Sequence, residues 1–284
     1  MNIKNYFFIA LLTIIIVGCS KNENPVDGKT NKTEIPAPAG WTLVWNDEFD
    51  KPAIDNAKWE HEVNGHGGGN NELQYYTDRS ENSFIENGAL VIKAIKESYT
   101  GPDGQRNFTS ARLVSKNKGD WKYGRFDIKA KLPYGQGIWP AIWMMPTDNA
   151  YGGWAASGEI DIMEYLGHEQ NKVYGTLHYG GSWPNNTHTG TFYSLSSGTF
   201  VEDFHVFTLE WQEGEIRWYV DGKLYQTQTQ WNTTAAPFPA PFDQKFFMIL
   251  NLAVGGNWPG NPDATTVFPQ QMVVDYVRVF AKAE

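Results

Sequence analysis

The chain has 284 residues, 41% of them hydrophobic and 19% charged, which is enough apolar material for one sizeable core in a single all-β-sized domain. A net charge of −9 with no Lys/Arg cluster excludes a phosphate backbone as partner. A lone cysteine, Cys19, excludes an internal disulfide, while 12 Trp and 14 Tyr exceed what a core needs and point to an aromatic-lined binding surface.

The N-terminus reads as an address. Lys4 precedes an apolar run from Tyr6 to Val17, which falls short of the roughly 20 residues that span a bilayer and has the form of a secretory signal. It ends in Ile16-Val17-Gly18-Cys19, which resembles a bacterial lipobox and implies cleavage before Cys19 and lipidation of its sulfur. Residues 1–18 are therefore expected to be a signal peptide. Residues 19–39, polar and with three prolines, read as a lipidated tether, and a folded domain is expected over 40–284. The expected location is the membrane of a bacterium, at its outer membrane or cell surface, with the lipid as the sole membrane contact.

From Trp41 onward no amphipathic helix stands out, and period-two alternation recurs. The segment Gly65-His-Gly-Gly-Gly-Asn70 lacks the lysine and following helix of a phosphate loop, so it reads as a flexible loop at a cleft edge. Asn87-Gly88 lies between Ser-Phe-Ile-Glu and Ala-Leu-Val-Ile-Lys-Ala, a two-residue hairpin signal. Phe126, Ile128, Ala130 and Leu132 alternate with polar residues as in a half-buried strand. Asp221-Gly222 marks a second hairpin, and Met272–Phe280 reads as a closing strand. Many strands, frequent turns and no alternating helices predict an all-β sandwich or jelly roll in one domain.

The chemistry concentrates in Gly158-Glu-Ile-Asp-Ile-Met-Glu-Tyr-Leu-Gly167. On a regular strand Glu159, Asp161 and Met163 share one face, and Ile160, Ile162 and Glu164 the other. Burying Glu164 with two isoleucines would cost several kcal/mol if its charge were unpaired (about 5). A β-bulge after Ile162 removes that conflict by turning Glu164 to the side of Glu159 and Asp161. Three adjacent acids suit glycosidic cleavage, in which one carboxylate attacks and another holds a proton. A solvated acidic strand face and a carboxylate metal site remain open readings of the same spacing.

The ten-residue segment also resembles the active-site strand of glycoside hydrolase family 16 in its Glu-x-Asp-x-x-Glu form, and most closely its laminarinases, endo-acting β-1,3-glucanases. Ordered matches extend the resemblance through Trp45-Asn-Asp-Glu-Phe49, Asn70–Thr77, Thr109–Leu113, Trp121–Arg125, Gly135–Met144, Gly175–Tyr179, Asn251–Gly260 and Val274–Val279. The resemblance implies a β-jelly-roll sandwich of two curved antiparallel sheets with a concave cleft. It implies Glu159 as nucleophile, Asp161 as helper and Glu164 as acid/base in a retaining mechanism. Met163 is the extra residue that separates this pattern from the lichenase form.

Further expectations follow for the cleft. Trp139 and Trp143 share a strand face and suit a sugar platform, which Trp121 and Trp154 extend. Arg112 and Asn71 match positions that bond sugar hydroxyls. His178 lies on the next strand and is expected to face Glu164, and Trp258 to close one end. The chemistry needs no cofactor. A structural Ca²⁺ is implied at Glu48, the Gly88 carbonyl and Asp275, a hard oxygen set. The implied partner is a β-glucan polysaccharide, acted on by a monomer. A mixed-linkage β-1,3-1,4-glucanase, an agarase-type hydrolase and a non-catalytic β-glucan-binding protein are the competing readings.

Overall fold

The computed structural model describes residues 35–284, and residues 1–34, including the expected signal and Cys19, lie outside the described residues. One compact unit spans Ala37–Glu284. Its strands, in chain order, begin with β1 (Trp41–Asp47), β2 (Glu60–His61), β3 (Gln74–Tyr76), β4 (Ser83–Glu86), β5 (Ala89–Gly101) and β6 (Gly104–Ser110). The middle of the chain forms β7 (Arg112–Val114), β8 (Asp120–Trp121), β9 (Gly124–Lys131), β10 (Ile138–Pro146), β11 (Glu159–Glu164) and β12 (Lys172–Gly180). The last third contributes β13 (Asn186–Ser194), β14 (His205–Gln212), β15 (Glu215–Val220), β16 (Lys223–Gln228), β17 (Phe246–Val254) and β18 (Gln270–Lys282). The one helical element among the described residues is a 3-10 turn at Gly67–Gly69.

Two sheets make the expected sandwich. The first runs β16-β15-β14-β9-β18-β5-β6-β3, with β1 also on β18 and β4 also on β5. The second runs β13-β12-β11-β10-β17-β7-β2, with β8 also on β17. Pairing between these strands is antiparallel except between β3 and β6. Both hairpin signals form as the turn chemistry requires. Asn87 and Gly88 have φ of 52° and 75°, and Asp221 and Gly222 have 48° and 74°. Asparagine, aspartate and glycine reach this region at least cost.

Alternation decides what each sheet buries. Phe126, Ile128 and Ala130 of β9 and Leu209 and Trp211 of β14 meet Ile142 and Met144 of β10, Ile160 of β11 and Leu250 and Leu252 of β17 in one core. Each buried Ile, Leu, Met or Phe among them contributes about 1.5–3 kcal/mol of burial. The opposite face of the second sheet carries Trp139 and Trp143 of β10 and the three acids of β11.

The bulge that the alternation demanded is present. Against β10, Ile142 pairs with Met163 and Trp143 with Asp161, so Ile162 is the unmatched residue. Against β12, Asp161 pairs with Thr176 and Glu164 with Tyr174, three steps against two. Ile160, Ile162 and Met163 thus all enter the core, with exposures of 0%, 3% and 0%. From the other sheet, the fully buried Trp218 of β15 donates its indole N–H to the Asp161 carbonyl at 2.8 Å. A bulge leaves backbone groups out of the ladder, and this bond satisfies one of them.

Candidate active site

Each of the three carboxyls meets a different neighbour. Trp154 donates its indole N–H to Glu159 Oε2 at 2.7 Å. Trp139 does the same for Glu164 Oε1 at 3.2 Å. Asp161 lies between them in sequence, is 2% exposed, and its Oδ2 accepts no hydrogen bond. His178 pairs in register with Glu159 across β11 and β12. Its Nε2 lies 3.4 Å from Asp161 Oδ2 and 3.7 Å from Glu159 Oε1.

That placement corrects the sequence reading of His178. It faces Glu159 and Asp161, and the expected partner Glu164 lies beyond the bulge, opposite Tyr174. The extra residue that rotates Glu164 onto the acid face also moves it one pair along β12.

Burial sets the proton affinities. The Glu159 carboxyl is pushed up to about 8, first by burial and then by the Asp161 charge. His178, the Trp154 hydrogen bond and Arg112 oppose that rise. Burial pushes Asp161 up to about 8 as well. Glu164 is raised well above the ordinary carboxylate range, by burial and then by the charges of Asp161 and Glu159. Three acids on one dry face cannot all ionise, so the group with most opposing help ionises first and the most penalised one keeps its proton. Of the two glutamates, Glu159 is the former and Glu164 the latter.

The remaining sequence candidates divide by position. Trp143 donates to Asn251 Oδ1 at 2.6 Å, and Asn251 donates in turn to Tyr76 Oη at 3.1 Å. One ring face of Trp143 is covered by the Arg112 guanidinium, 4.8 Å from its centroid. Arg112 itself pairs with Glu62 at 3.0 Å. Trp258 stands edge-on to Trp139 at 5.6 Å and to Tyr174 at 5.0 Å, beside Glu164. Asn71, in the left-handed region at φ 58°, donates to Asn257 at 2.9 Å and ties its loop to that of Trp258. The loop Gly65–Asn70 is fastened by Asn70 N–H and Glu72 N–H on the Gly67 carbonyl, at 2.9 and 3.1 Å.

Trp121 does not extend this platform. It pairs with Phe246, a fully buried residue of β17, and directly paired residues share a face. Its ring lies edge-on to Trp45 at 5.3 Å and to Phe126 at 5.6 Å, packed on the core. The open aromatic surface is instead Trp154 and Trp258, joined by Trp183, which the sequence reading passed over. Trp183 is 72% exposed, and its backbone N–H donates to the Trp154 carbonyl at 2.7 Å. Its place between Ser182 and Pro184 in an unpatterned loop gives no periodic signal. Asn251 was also missed as a site residue, although it stands at the head of the segment Asn251–Gly260.

The model of glycosyl hydrolases family 16 matches residues 70–278. The chain belongs to this family. It is 46% identical over 263 residues to the glucan endo-1,3-beta-glucosidase A1 of Niallia circulans, covering 86% of this chain and 38% of that longer protein. It is 43% identical to a beta-glucanase of Rhodothermus marinus over 97% of this chain and 94% of that one. Among solved structures, the catalytic domain of an endo-1,3-beta-glucanase (laminarinase) from Thermotoga petrophila RKU-1 superposes with a TM-score of 0.78. The two are 46% identical, over 86% of this chain and 99% of that one.

The expected calcium donors sit away from the acids, along β18. Asp47 pairs with Val277, and Leu90 with Val274, so Glu48, Gly88 and Asp275 lie near one another along β18. Two carboxylates and a carbonyl suit a hard cation. Each carboxylate here has a protein cation instead: Arg278 on Glu48 at 2.7 Å and Lys129 on Asp275 at 2.8 Å.

Proposed function

We propose that this chain is an endo-acting β-1,3-glucanase that cleaves laminarin-type linkages with retention of configuration. The observation that carries the reading is the bulged β11, which brings Glu159, Asp161 and Glu164 to one face, with an indole donor on each glutamate. Glu159 attacks the anomeric carbon while Glu164 gives its proton to the leaving oxygen. Glu164 then takes a proton from the water that releases the glycosyl-enzyme. Asp161 and His178 hold the charge balance beside Glu159. Trp154, Trp183 and Trp258 offer ring faces to the polymer, and Arg112 and Asn71 offer donors to its hydroxyls.

The similarity to proteins named glucan endo-1,3-beta-glucosidase and laminarinase supports the linkage. All three acids are present, which disfavours a binding protein without activity. Product analysis on laminarin, lichenan, agarose and carrageenan is the test, with Glu159→Gln as control. Laminarin oligosaccharides are expected from the wild-type chain and none from the variant. Activity on agarose without activity on laminarin would overturn the linkage, and an active Glu159→Gln would overturn the mechanism.

Export as a Cys19-anchored monomer is proposed from the lipobox-like segment, and mass spectrometry of the mature N-terminus checks it. A structural calcium at Glu48, Gly88 and Asp275 is proposed from the donor set. A melting temperature unchanged by calcium or chelator would count against it.

A further inference from the structure

Glu159, Asp161 and His178 do more than share a face. One oxygen of each acid and one imidazole nitrogen lie within 4.8 Å of one another. The two edges from His178 Nε2 measure 3.4 and 3.7 Å. Ligands bound to zinc at about 2.0–2.1 Å in a tetrahedron are separated by about 3.4 Å, so these edges need little closure. A second, independent observation points to a ligand. Asp161 is 2% exposed, yet its Oδ2 has no hydrogen-bond donor and is turned toward His178. A buried carboxylate oxygen left so is costly unless something cationic meets it.

We propose that Glu159, Asp161 and His178 form a binding site for a zinc-class divalent metal ion, occupied in competition with the glucan. One imidazole and two carboxylate oxygens are a borderline N/O set that favours zinc over calcium. The fourth position opens to the cleft, where water or a sugar hydroxyl completes the shell. Glu159 Oε2 keeps its Trp154 hydrogen bond, so only Oε1 need turn to the ion. The bound ion withdraws the Glu159 electron pair from attack, so it inhibits and takes no part in cleavage. His178 Nδ1 has no hydrogen-bond partner, so the imidazole lacks the outer support that tight zinc sites give it. The site is therefore a reversible inhibitory one, released by a chelator.

The test is calorimetric titration of the full chain with zinc chloride, without sugar, so that it stands or falls separately from the linkage reading. One ion per chain is expected. His178→Ala and Asp161→Asn should each weaken binding about 10- to 100-fold or more, with Glu159→Gln as a third variant in case either fails to fold. The surface pair His205–Asp221, at 2.7 Å, is the competing place for a metal, so His205→Ala should change nothing. Saturating laminarin oligosaccharide should displace the ion. Absence of saturable binding, or binding unaltered in His178→Ala, overturns the proposal. So does loss in His188→Ala with retention in Asp161→Asn, which would move the ion to the neighbouring His178–His188 pair, whose rings lie 5.5 Å apart.

Discussion

Glu159 and Glu164 share a strand and a dry face but keep different company, and that difference separates their roles. Burial raises both and His178 opposes the rise in both, but Glu159 has His178 within 3.7 Å and Arg112 also acting in its favour, while Glu164 carries the repulsion of two acids. The consequence for stability has a definite sign. A carboxyl whose folded value is raised favours the protonated fold. Its cost is absent below the ordinary 4.5 and grows as pH rises through about 8. Glu159→Gln is therefore expected to raise the melting temperature at pH near 8 and to leave it nearly unchanged near pH 4. A thermal melt series across that range checks it, and an equal gain at both ends would contradict the assignment. Glu164, raised well above the ordinary carboxylate range, holds the proton that cleavage needs, and removal of that acid in Glu164→Gln should cost roughly 10²–10⁴ in rate, measured as kcat on laminarin oligosaccharide.

At the scale of elements, the bulge in β11 was legible because apolar and acidic residues conflict on a regular strand, and one inserted residue resolves the conflict. The hairpins at Asn87-Gly88 and Asp221-Gly222 were legible because their turns require φ > 0. What holds the bulge was not legible. Trp218 belongs to β15, on the other sheet, and its bond to the Asp161 carbonyl joins residues 57 apart in sequence. Trp121 misled for a related reason: an aromatic near a motif carries no mark of which face its short strand presents. Trp218→Phe keeps most of the buried ring and removes the donor. It is expected to cost about 1–3 kcal/mol for the stranded carbonyl. Relaxation of the bulge by about 1 Å would lower kcat by roughly 10²-fold. KM should stay nearly unchanged, since Trp154, Trp183 and Trp258 are untouched. A parallel fall in stability with no change in kcat would reduce Trp218 to packing.

Across the whole molecule, one strand ties the first sheet together. β18 pairs with β9 along one side, and with β5 and then β1 along the other. It is the last strand of the fold, yet it occupies the interior of its sheet. While residues before Gln270 emerge from a ribosome, β9 and β5 have no strand between them and β1 has no partner. The sheet therefore cannot close in chain order, and its assembly waits for β18. Long-range pairing of this kind folds slowly. The native sheet stays out of reach until β18 is available, so the strands made earlier wait unsealed for the one that joins them.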